Sequence, residues 1–433
     1  MKYVSLGTFA IANPVHGGQL RANAIHHVLR QRGWETRHIV VSPNRDAKRD
    51  IWPGDLFVEM PRRFRKKMAR RKWRSDVATA EFVASNRFHR SEIAKFLDDF
   101  KPDIIALEQC WLWPALREYV DTCAPEARFS IVYSSQNIEQ ELLAQEARMP
   151  GAKTSPWNVR RAAEIESDLL AKADLVAAVS EQDAACFRKF NPSVVVAANG
   201  IWPMAAPVGL DHWASRLAGL RTALFVASGH PPNVNGFLEM MAPDLGFLST
   251  AERIVVVGGV AGQIESDQRF LRCADINNHR IELLGVRDAG TLSALMELAD
   301  VVVLPVLEGG GTNIKTAEAL YNRKRIVATP FAFRGYEDFK HGRNVQLAHS
   351  PADFQKLLVK ALRSEGDDPG PADLAQLDGL LWTATLQDLP EQFAALPRRE
   401  RRAPQNSPML RSGNGPSHFL RWLSQRLALW RKS

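Results

Sequence analysis

The sequence predicts an α/β protein built from two doubly wound parallel sheets. Short runs of apolar and β-branched residues recur along its 433 residues, and longer helical stretches separate them. The runs are continuously apolar rather than alternating, which is typical of parallel strands that are buried on both faces. Strand and helix alternate through the chain twice over, and this predicts two sheets rather than one.

The predicted strands fall into two sets of six. The first set is Tyr3–Phe9, His38–Ser42, Asp103–Leu107, Phe129–Ser134, Leu175–Ser180 and Val194–Ala198. The second set is Ala223–Ser228, Arg253–Val257, Ile281–Leu284, Val301–Pro305, Ile326–Thr329 and Val345–Leu347. Predicted helices between them include Gly18–Arg32, Arg87–Phe100, Ala162–Lys172 and Leu292–Leu298.

Proline residues and a polar turn mark the predicted domain boundaries. Pro203 and Pro207 precede the first strand of the second set, so we expect an N-terminal domain over residues 1–205. The second domain covers residues 206–370 and ends in the turn SEGDDPGP, at residues 364–371.

The chain after this turn is expected to divide into a helix and a tail. Residues 371–396 are predicted to be largely helical, and residues 397–433 are Arg-rich and punctuated by Pro and Gly. We expect this basic tail to be partly disordered, with a possible amphipathic helix at its end that carries Trp422 and Trp430 on one face.

Composition narrows the class of protein. The chain is 45% hydrophobic and 24% charged, which is typical of a water-soluble globular protein. No uncharged apolar stretch is long enough to span a bilayer. The cysteines are too widely separated for a disulfide framework or a zinc motif, which favours a reducing compartment and predicts a cytoplasmic location; they are Cys110, Cys123, Cys186 and Cys273.

Positive charge is concentrated in two segments. The net charge is +8, and residues 397–433 hold nine Arg and Lys against one acidic residue, Glu400. Residues 62–74 hold nine basic residues and no acidic one. Such segments favour an anionic partner, and a solubilising surface is the alternative. Because no nucleic-acid-binding motif accompanies them, a membrane surface is the expected partner rather than nucleic acid.

The first candidate site follows the first strand. Open parallel sheets bind ligands beyond the carboxyl ends of their strands. The segment NPVHGG, at residues 13–18, lies there and opens a helix. Gly17 and Gly18 allow the backbone to approach a ligand, and His16 is a candidate polar contact. A plain strand-to-helix turn is the alternative.

The strongest candidate site is the segment DVVVLPVLEGGGTNIKTAEALYNRKRIVATP, at residues 300–330. A buried strand ends at Pro305, a glycine-rich turn follows, and a helix with Lys315 and Glu318 on one face begins. The turn exposes backbone N–H groups beside a helix start, which suits a diphosphate; its residues are Glu308, Gly309, Gly310, Gly311, Thr312 and Asn313. A surface salt bridge between Lys315 and Glu318 is the alternative.

This segment resembles the signature of retaining glycosyltransferase family 4, also called glycosyl transferases group 1. Residues 225–236, 255–259 and 281–288 resemble the strands and turns that precede that signature. Residues 134–143, SSQNIEQELL, resemble the family's H-N-x-E segment in the N-terminal domain. The resemblance covers about residues 1–395 and implies the GT-B fold, in which two Rossmann-like domains face a cleft.

The resemblance also implies residue roles. Lys315 and Glu318 would be catalytic, and the donor would contact Gly229, Asn233, Gly258, Gly285, Glu308, Gly309, Gly310, Gly311, Thr312 and Asn313. The acceptor side would include His16, Gly17, Gly18, Gln136, Asn137 and Glu139. The helix after residue 370 would return to the N-terminal domain.

Three features depart from the family pattern. The Arg–Lys pair that many members carry after the first strand of the C-terminal domain is absent, and Gly229, His230 and Asn233 stand there instead. Gly310 stands where many members carry the first of two glutamates, and Glu308 lies two residues earlier. Gln136 replaces the usual His.

The expected function is transfer of a sugar from a nucleotide-sugar donor to a saccharide or lipid-linked acceptor, with retention, in the synthesis of cell-surface polysaccharide or glycoconjugate. No D-x-D motif occurs in the chain, so we expect no metal and no other cofactor. The alternatives are another GT-B activity, such as epimerisation of a nucleotide sugar, and a binding protein that has lost catalysis.

Overall fold

The computed structural model describes residues 1–123, 128–148, 154–241, 243–364 and 374–400. Contacts divide the chain into two compact units. Unit 1 comprises Met1–Val196 and the chain from Asp388 onward, and unit 2 comprises Ala197–Gln387. The division follows Val196 rather than residue 205 because Ile201 already pairs with Leu381 of unit 2.

Within the described residues, unit 1 contains an eight-stranded sheet, seven strands of which are parallel and lie in the order β3-β2-β1-β4-β5-β6-β7. The strands are β1 Lys2–Gly7, β2 Glu35–Ser42, β3 Leu56–Glu59, β4 Ile104–Leu107, β5 Arg128–Ser134, β6 Leu175–Ala178 and β7 Val194–Val196. Leu6 and Ile105 are fully buried, as continuous apolar runs require in a sheet that is covered on both faces.

In the part of unit 1 that the structure describes, eight helices connect these strands. They are α1 Gly17–Gln31, α2 Arg62–Arg70, α3 Ser75–Ser85, α4 Arg87–Phe100, α5 Trp113–Thr122, α6 Glu139–Glu146, α7 Pro156–Lys172 and α8 Glu181–Phe187. Short 3₁₀ turns occupy Arg45–Asp50 and Cys110–Leu112. Trp111 and Trp113 are among the largest side chains in the core between the sheet and these helices.

Unit 2 contains a sheet of six parallel strands in the order β10-β9-β8-β11-β12-β13. The strands are β8 Arg221–Val226, β9 Glu252–Val257, β10 Ile281–Gly285, β11 Val301–Leu304, β12 Arg325–Ala328 and β13 Val345–Leu347. The helices are α9 Leu210–Arg216, α10 Pro231–Met241, α11 Val260–Ser266, α12 Gln268–Leu271, α13 Ala274–Asn277, α14 Ala289–Leu298, α15 Ile314–Tyr321, α16 Pro351–Arg363, α17 Leu374–Asp378 and α18 Trp382–Thr385. Two 3₁₀ turns, Pro330–Phe333 and Glu337–Phe339, follow β12.

The chain re-enters unit 1 at Asp388 and adds α19, Leu389–Ala394, and β14, Arg399–Glu400, which pairs antiparallel with β5. The helix expected over residues 371–396 is therefore three short helices within the part that the structure describes. It breaks where Leu381 pairs with Ile201, since bridge pairing needs an extended backbone. The amphipathic helix expected near residue 430 lies outside the described residues.

Each of the twelve predicted strands overlaps an observed strand, and the prediction of two doubly wound α/β units is confirmed. The sequence missed β3 and the two-residue β14. Strand β3 lies at the edge of its sheet beside β2 and is mostly half-buried, and its apolar run is only three residues long, at residues 56–58. Within the described residues, no helix is both long and apolar enough to cross a membrane.

Candidate functional site

Each sheet has one point where the strand order reverses. In unit 1 it lies between β1 and β4, and in unit 2 it lies between β8 and β11. At such a point the loops after the two strands leave in opposite directions, which opens a crevice at the carboxyl ends. The predicted site residues of each unit follow these strands or their neighbours.

Three glycine turns, at the carboxyl ends of β8, β9 and β10, pack together in unit 2. A Cβ on Gly258 would lie 2.1 Å from the carbonyl oxygen of Ala227, and Gly258 has φ 109°, so only glycine fits there. The N–H of Gly258 donates to the carbonyl of Gly285 at 2.7 Å. A Cβ on Gly229 would lie 3.0 Å from the carbonyl of Gly259. The predicted residues Gly229, Gly258 and Gly285 are thus brought into one edge.

The turn after β8 is closed by Asn233. Its Nδ2 donates to the carbonyl of Ser228 at 3.0 Å and to the hydroxyl of the same residue at 3.2 Å. Helix α10 then packs closely against the chain after β11. The closeness is evident at Gly236, where an added Cβ would lie 1.9 Å from the carbonyl oxygen of Pro305. Asn233 therefore shapes the turn beside the crevice.

The glycine-rich loop, which we define as residues 305–313, joins β11 to α15. Gly309 has φ 138° and Gly311 has φ 62°, backbone conformations that favour glycine. Gly310 is exposed between them. Asn313 is the N-cap of α15, and its Nδ2 donates to Oγ1 of Thr316 at 3.0 Å. The loop thus delivers a helix start to the carboxyl edge, as the sequence predicted.

Lys315 and Glu318 lie on the first turns of α15 and are half-buried. Burial lowers the pKa of Lys315 while the charge of Glu318 raises it. Burial likewise raises the pKa of Glu318, and Lys315 lowers it. Among the described residues, no carboxylate lies within ion-pair distance of Lys315, so the surface salt bridge is not formed there. A partly desolvated cation remains available to an anion.

Glu308 is half-buried at the start of the glycine triplet. Burial raises its pKa, and the charge of Glu239 raises it further. A carboxyl group in this environment is more readily protonated than a solvated one. The contact of Glu308 with the donor stays a prediction.

Sequence reasoning missed three residues that hold the glycine-rich loop. Asn199, Arg334 and Tyr336 all belong to unit 2 and make hydrogen bonds to the loop or to one another. Asn199 lies shortly after β7 and begins an Asn-Gly pair, and this pair was the one sequence feature that could have indicated it. Arg334 and Tyr336 follow a 3₁₀ turn, and no local pattern indicated them.

In unit 1, Gln136 and Gly18 are in contact. The Nε2 of Gln136 donates to the carbonyl oxygen of Gly18 at 3.2 Å. His16 is the N-cap of α1 and accepts from the N–H of Gln19 at 3.4 Å, so its side chain supports the helix start. Burial lowers the pKa of His16. Gly17 is exposed at the first position of α1.

Glu139 lies at the first position of α6 and is buried. The amides of Gln109 and Asn137 donate to its Oε1 at 3.4 and 3.5 Å. Thr8, beyond β1, donates its hydroxyl to Oε1 of Gln109 at 3.1 Å. This chain of polar side chains crosses the reversal point of the sheet. Thr8 and Gln109 were missed, although Thr8 lies near the end of one predicted strand and Gln109 follows another.

Two further carboxyl groups are buried beneath this edge. Glu108 is fully buried and accepts from the hydroxyls of Tyr3 and Ser134 at 3.2 and 3.0 Å. Glu166 accepts from the hydroxyl of Tyr133 at 2.7 Å and from the N–H of Glu139 at 3.1 Å. Burial raises the pKa of both groups to about 7. Burial raises the pKa of Glu139 well above its usual range, and the charge of Glu166 adds to this.

Within the described part of the chain, no group of three or more His, Cys, Asp or Glu side chains is arranged to hold a metal ion. The four cysteines are free thiols. Independence from metal stays a prediction.

Comparisons with known proteins identify the fold of the chain and find a family match for part of unit 2. No curated protein sequence matches the chain. Alr3699/HepE of Anabaena, solved with UDP-glucose, has 16% identity and a TM-score of 0.63 over 92% of this chain and 100% of that one. WaaG, a glycosyltransferase involved in lipopolysaccharide biosynthesis, has 16% identity and a TM-score of 0.54 over 90% and 98%. A putative UDP-N-acetylglucosamine 2-epimerase of Listeria monocytogenes has 12% identity and a TM-score of 0.56 over 92% and 98%.

These likenesses are all far below the identity at which function transfers, and they show the fold. The sequence of unit 2 gives a more specific match, because residues 221–364 match the family described as Glycosyl transferases group 1. That range contains β8 to α16, and with them the glycine turns, the glycine-rich loop and Lys315. Residues 221–364 are therefore similar to a glycosyl transferases group 1 domain, in a chain with the GT-B fold.

Proposed function

We propose that this protein is a glycosyltransferase that takes a sugar from a nucleotide-sugar donor bound by unit 2. The observation that carries the proposal is Lys315, a half-buried cation on the first turn of α15 with no ion-pair partner among the described residues. It follows a glycine-rich loop within the matched range. A diphosphate would supply the missing counter-charge.

The same geometry explains how the bond to the sugar would break. Negative charge accumulates on the departing diphosphate as the glycosidic bond lengthens. Lys315, the amides of the glycine-rich loop and the positive end of α15 would stabilise that charge. Glu318, one turn further along the helix face, would accept hydrogen bonds from ribose hydroxyls.

We further propose that transfer proceeds with retention and without a metal ion. Support for retention comes from the resemblance of residues 309–319 to the signature of retaining enzymes. Support for metal independence comes from the cationic diphosphate site, since Lys315 and a helix start supply the positive charge that a divalent ion would otherwise provide. No side chain is assigned as a covalent nucleophile.

The donor class that we favour is a UDP-sugar. The Anabaena neighbour was solved with UDP-glucose, and its fold is shared over the whole of that chain. Gly229 and Gly259 in the glycine turns of unit 2 are exposed at the carboxyl edge and carry no side chain, so a flat base and a ribose can approach closely there.

For the acceptor we favour a saccharide, free or lipid-linked, bound by unit 1. The polar chain from Thr8 through Gln109 to Glu139 offers both donors and acceptors, as recognition of several sugar hydroxyls requires. The contact between Gly18 and Gln136 borders the same edge. WaaG acts in lipopolysaccharide biosynthesis, which supports a role in the synthesis of cell-surface polysaccharide or glycoconjugate.

We also propose that the protein works in the cytoplasm and binds an anionic membrane through α2. Phe64 and Met68 face the core of unit 1, while the basic residues of this helix point outward; those that are exposed are Arg62, Arg63, Arg65, Lys66 and Arg70. Among the described residues, none of these five has an ion-pair partner. An unneutralised cationic face suits anionic headgroups.

An exposed aromatic side chain on α4 is a second candidate for membrane contact. Phe88, at the start of α4, is 68% exposed. The ring centroid of Phe88 lies 5.3 Å from that of His89, and His89 lies 5.2 Å from Phe82 of α3. Phe82 in turn lies 5.0 Å from Phe64 of α2. The combination of a basic helix and an exposed aromatic ring is typical of peripheral membrane binding.

The rival proposals are epimerisation of a nucleotide sugar and binding without catalysis. The Listeria neighbour is the observation that favours the first. Calorimetry with UDP, GDP and ADP, followed by incubation with the matching nucleotide sugars, separates the three. A transferase consumes donor when acceptor is present, an epimerase changes the donor alone, and a binding protein does neither. If no nucleotide or nucleotide sugar binds, the proposed function is wrong.

A further inference from the structure

The glycine-rich loop is held at three points by side chains that lie outside it. The hydroxyl of Thr329 donates to the carbonyl of Val306, near the start of the loop. Arg334 donates from Nη1 to the carbonyl of Gly309 at 3.0 Å. Asn199 donates from Nδ2 to Oγ1 of Thr312 at 2.8 Å, immediately before α15. All these residues belong to unit 2.

Asn199 is itself fixed in place. It is 8% exposed, and its carbonyl oxygen accepts from the hydroxyl of Tyr336 at 3.3 Å. A Cβ on the next residue, Gly200, would lie 2.7 Å from the backbone nitrogen of Trp382. Ile201 exchanges backbone hydrogen bonds with the same segment, through the carbonyl of Leu380 and the N–H of Trp382. The amide of Asn199 therefore approaches Thr312 from a rigid base.

The loop cannot fix its own shape. Glycine has the largest backbone freedom of any residue, and three glycines in succession make the unliganded loop costly to order. Gly310 is exposed. The hydrogen bond from Arg334 holds the first glycine of the triplet, and the one from Asn199 holds Thr312 directly after it. Together they restrict the conformations of the loop and the direction in which α15 begins.

We propose that Asn199 and Arg334 are positioning residues that preorganise the glycine-rich loop for the donor diphosphate. This inference rests on the proposed function, because it concerns the same site. Asn199 acts through Thr312 and Arg334 acts through the carbonyl of Gly309; neither needs to touch the donor. Without them the loop samples more conformations, and binding must supply the ordering free energy.

The test measures binding of UDP by calorimetry, or of whichever of UDP, GDP and ADP binds the unaltered protein most tightly. Asn199→Ala and Arg334→Ala should each weaken binding by about five- to tenfold, the worth of one buried hydrogen bond. The KM for the nucleotide sugar should rise in step, while kcat changes less. The matched control is Asn344→Ala, which removes a hydrogen bond from Asn344 Nδ2 to the carbonyl of Lys324 at 2.8 Å in the same unit. Its UDP affinity should stay within twofold of the unaltered protein.

A double-mutant cycle separates positioning from general loss of stability. Thr312→Val removes the acceptor of the Asn199 hydrogen bond with little change in shape. If Asn199 acts through Thr312, Asn199→Ala should weaken UDP binding much less in the Thr312→Val background. Equal losses in both backgrounds would overturn the role of this pair. Unchanged affinity in both Asn199→Ala and Arg334→Ala would overturn the proposal outright, while failure of the unaltered protein to bind any nucleotide would overturn the proposed function instead.

Arg334→Ala keeps the inference testable if Asn199→Ala fails to fold. Its side chain is half-buried, and it reaches the loop from a different segment. Melting temperatures of every variant, measured with and without UDP, give the second measurement. A positioning residue should lower the shift in melting temperature that UDP produces, whereas Asn344→Ala should lower the starting value and leave that shift intact.

Discussion

The side-chain amide of Gln136 donates to the carbonyl oxygen of Gly18 at 3.2 Å, across 118 residues of sequence. A Cβ on Gly18 would lie 2.1 Å from Oε1 of the same glutamine. The two segments were both predicted to lie on the acceptor side, one from its glycines and one from a family resemblance. Their contact makes Gly18 a steric requirement for the orientation of Gln136.

We therefore expect Gly18→Ala to fold and to displace the Gln136 amide, since the clash involves the end of a flexible side chain. Transfer to acceptor should fall at least several-fold, while UDP binding by unit 2 should not change. Calorimetry with UDP and transfer assays with a panel of saccharide and lipid-linked acceptors measure the two effects. Gly262→Ala, where an added Cβ meets nothing within 4 Å, is the control. An equal loss of UDP affinity in Gly18→Ala would contradict the assignment to the acceptor.

Replacement of Lys315 tests the donor site. Lys315→Ala should lower kcat/KM, because charge develops on the departing diphosphate. The transition state should lose about 2–4 kcal/mol of stabilisation. Glu318→Ala should mainly weaken donor binding. The control is Lys356→Ala, which removes an exposed lysine from α16 of the same unit. Kinetics that are unchanged in both site variants would remove this site from consideration.

The sequence predicted the elements whose signals are local. Strands buried on both faces, such as β1 and β11, read as continuous apolar runs, and Lys315 lies three residues from Glu318 on one helix. It could not predict contacts made at long range. The approach of Asn199 to Thr312 spans 113 residues, and only the folded chain brings them together. Glu108 was within reach, because it directly follows a predicted strand, but a single glutamate in an apolar run was not recognised as buried.

Glu108 should give unit 1 a distinct dependence of stability on pH. Burial raises its pKa to about 7 in the folded protein from 4.5. The folded state therefore keeps a proton that the unfolded chain has released, and stability is full below pH 4.5 and declines as the pH rises to 7. The decline from this one group is about 3 kcal/mol.

Glu108→Gln has no such titration. The free energy of unfolding of the unaltered protein, relative to Glu108→Gln, should therefore fall by about 2–3 kcal/mol between pH 4.5 and pH 7.5. Urea denaturation at several pH values measures it. Asp99→Asn, a carboxyl-to-amide change at an exposed position on α4, is the control for the substitution itself. A difference that is constant with pH would show that Glu108 is ionised in the folded protein.

Chelation tests the proposed source of positive charge at the diphosphate. Activity should survive EDTA, because Lys315 and the start of α15 act where a divalent ion would otherwise be needed. The assay is transfer or donor hydrolysis after dialysis against EDTA, compared with the same protein supplied with magnesium or manganese. Complete loss that either ion restores would contradict the proposed mechanism.

The cationic face of α2 predicts binding to anionic vesicles. Each basic residue near such a surface contributes about 1 kcal/mol, so replacing four of them should cost up to about 4 kcal/mol. The variant exchanges the exposed side chains for glutamine at Arg62, Arg63, Arg65 and Lys66. Co-sedimentation with vesicles of phosphatidylglycerol and phosphatidylcholine should show strong binding by the intact protein, weaker binding at high salt and little binding by the variant.

Two controls assign that binding to α2 rather than to charge in general. The first exchanges four exposed basic residues of unit 2 for glutamine, at Arg272, Arg343, Lys356 and Lys360, and should bind as the intact protein does. The second deletes residues 402–433 and measures how much of the vesicle binding depends on the tail. This deletion keeps β14 and the ion pair of 3.0 Å between Arg398 and Asp103. Phe88→Ser should lower the binding that remains at high salt, because insertion of an aromatic ring does not depend on ionic strength. If the intact protein stays in the supernatant with anionic vesicles at low salt, membrane binding is wrong and the acceptor is a soluble saccharide.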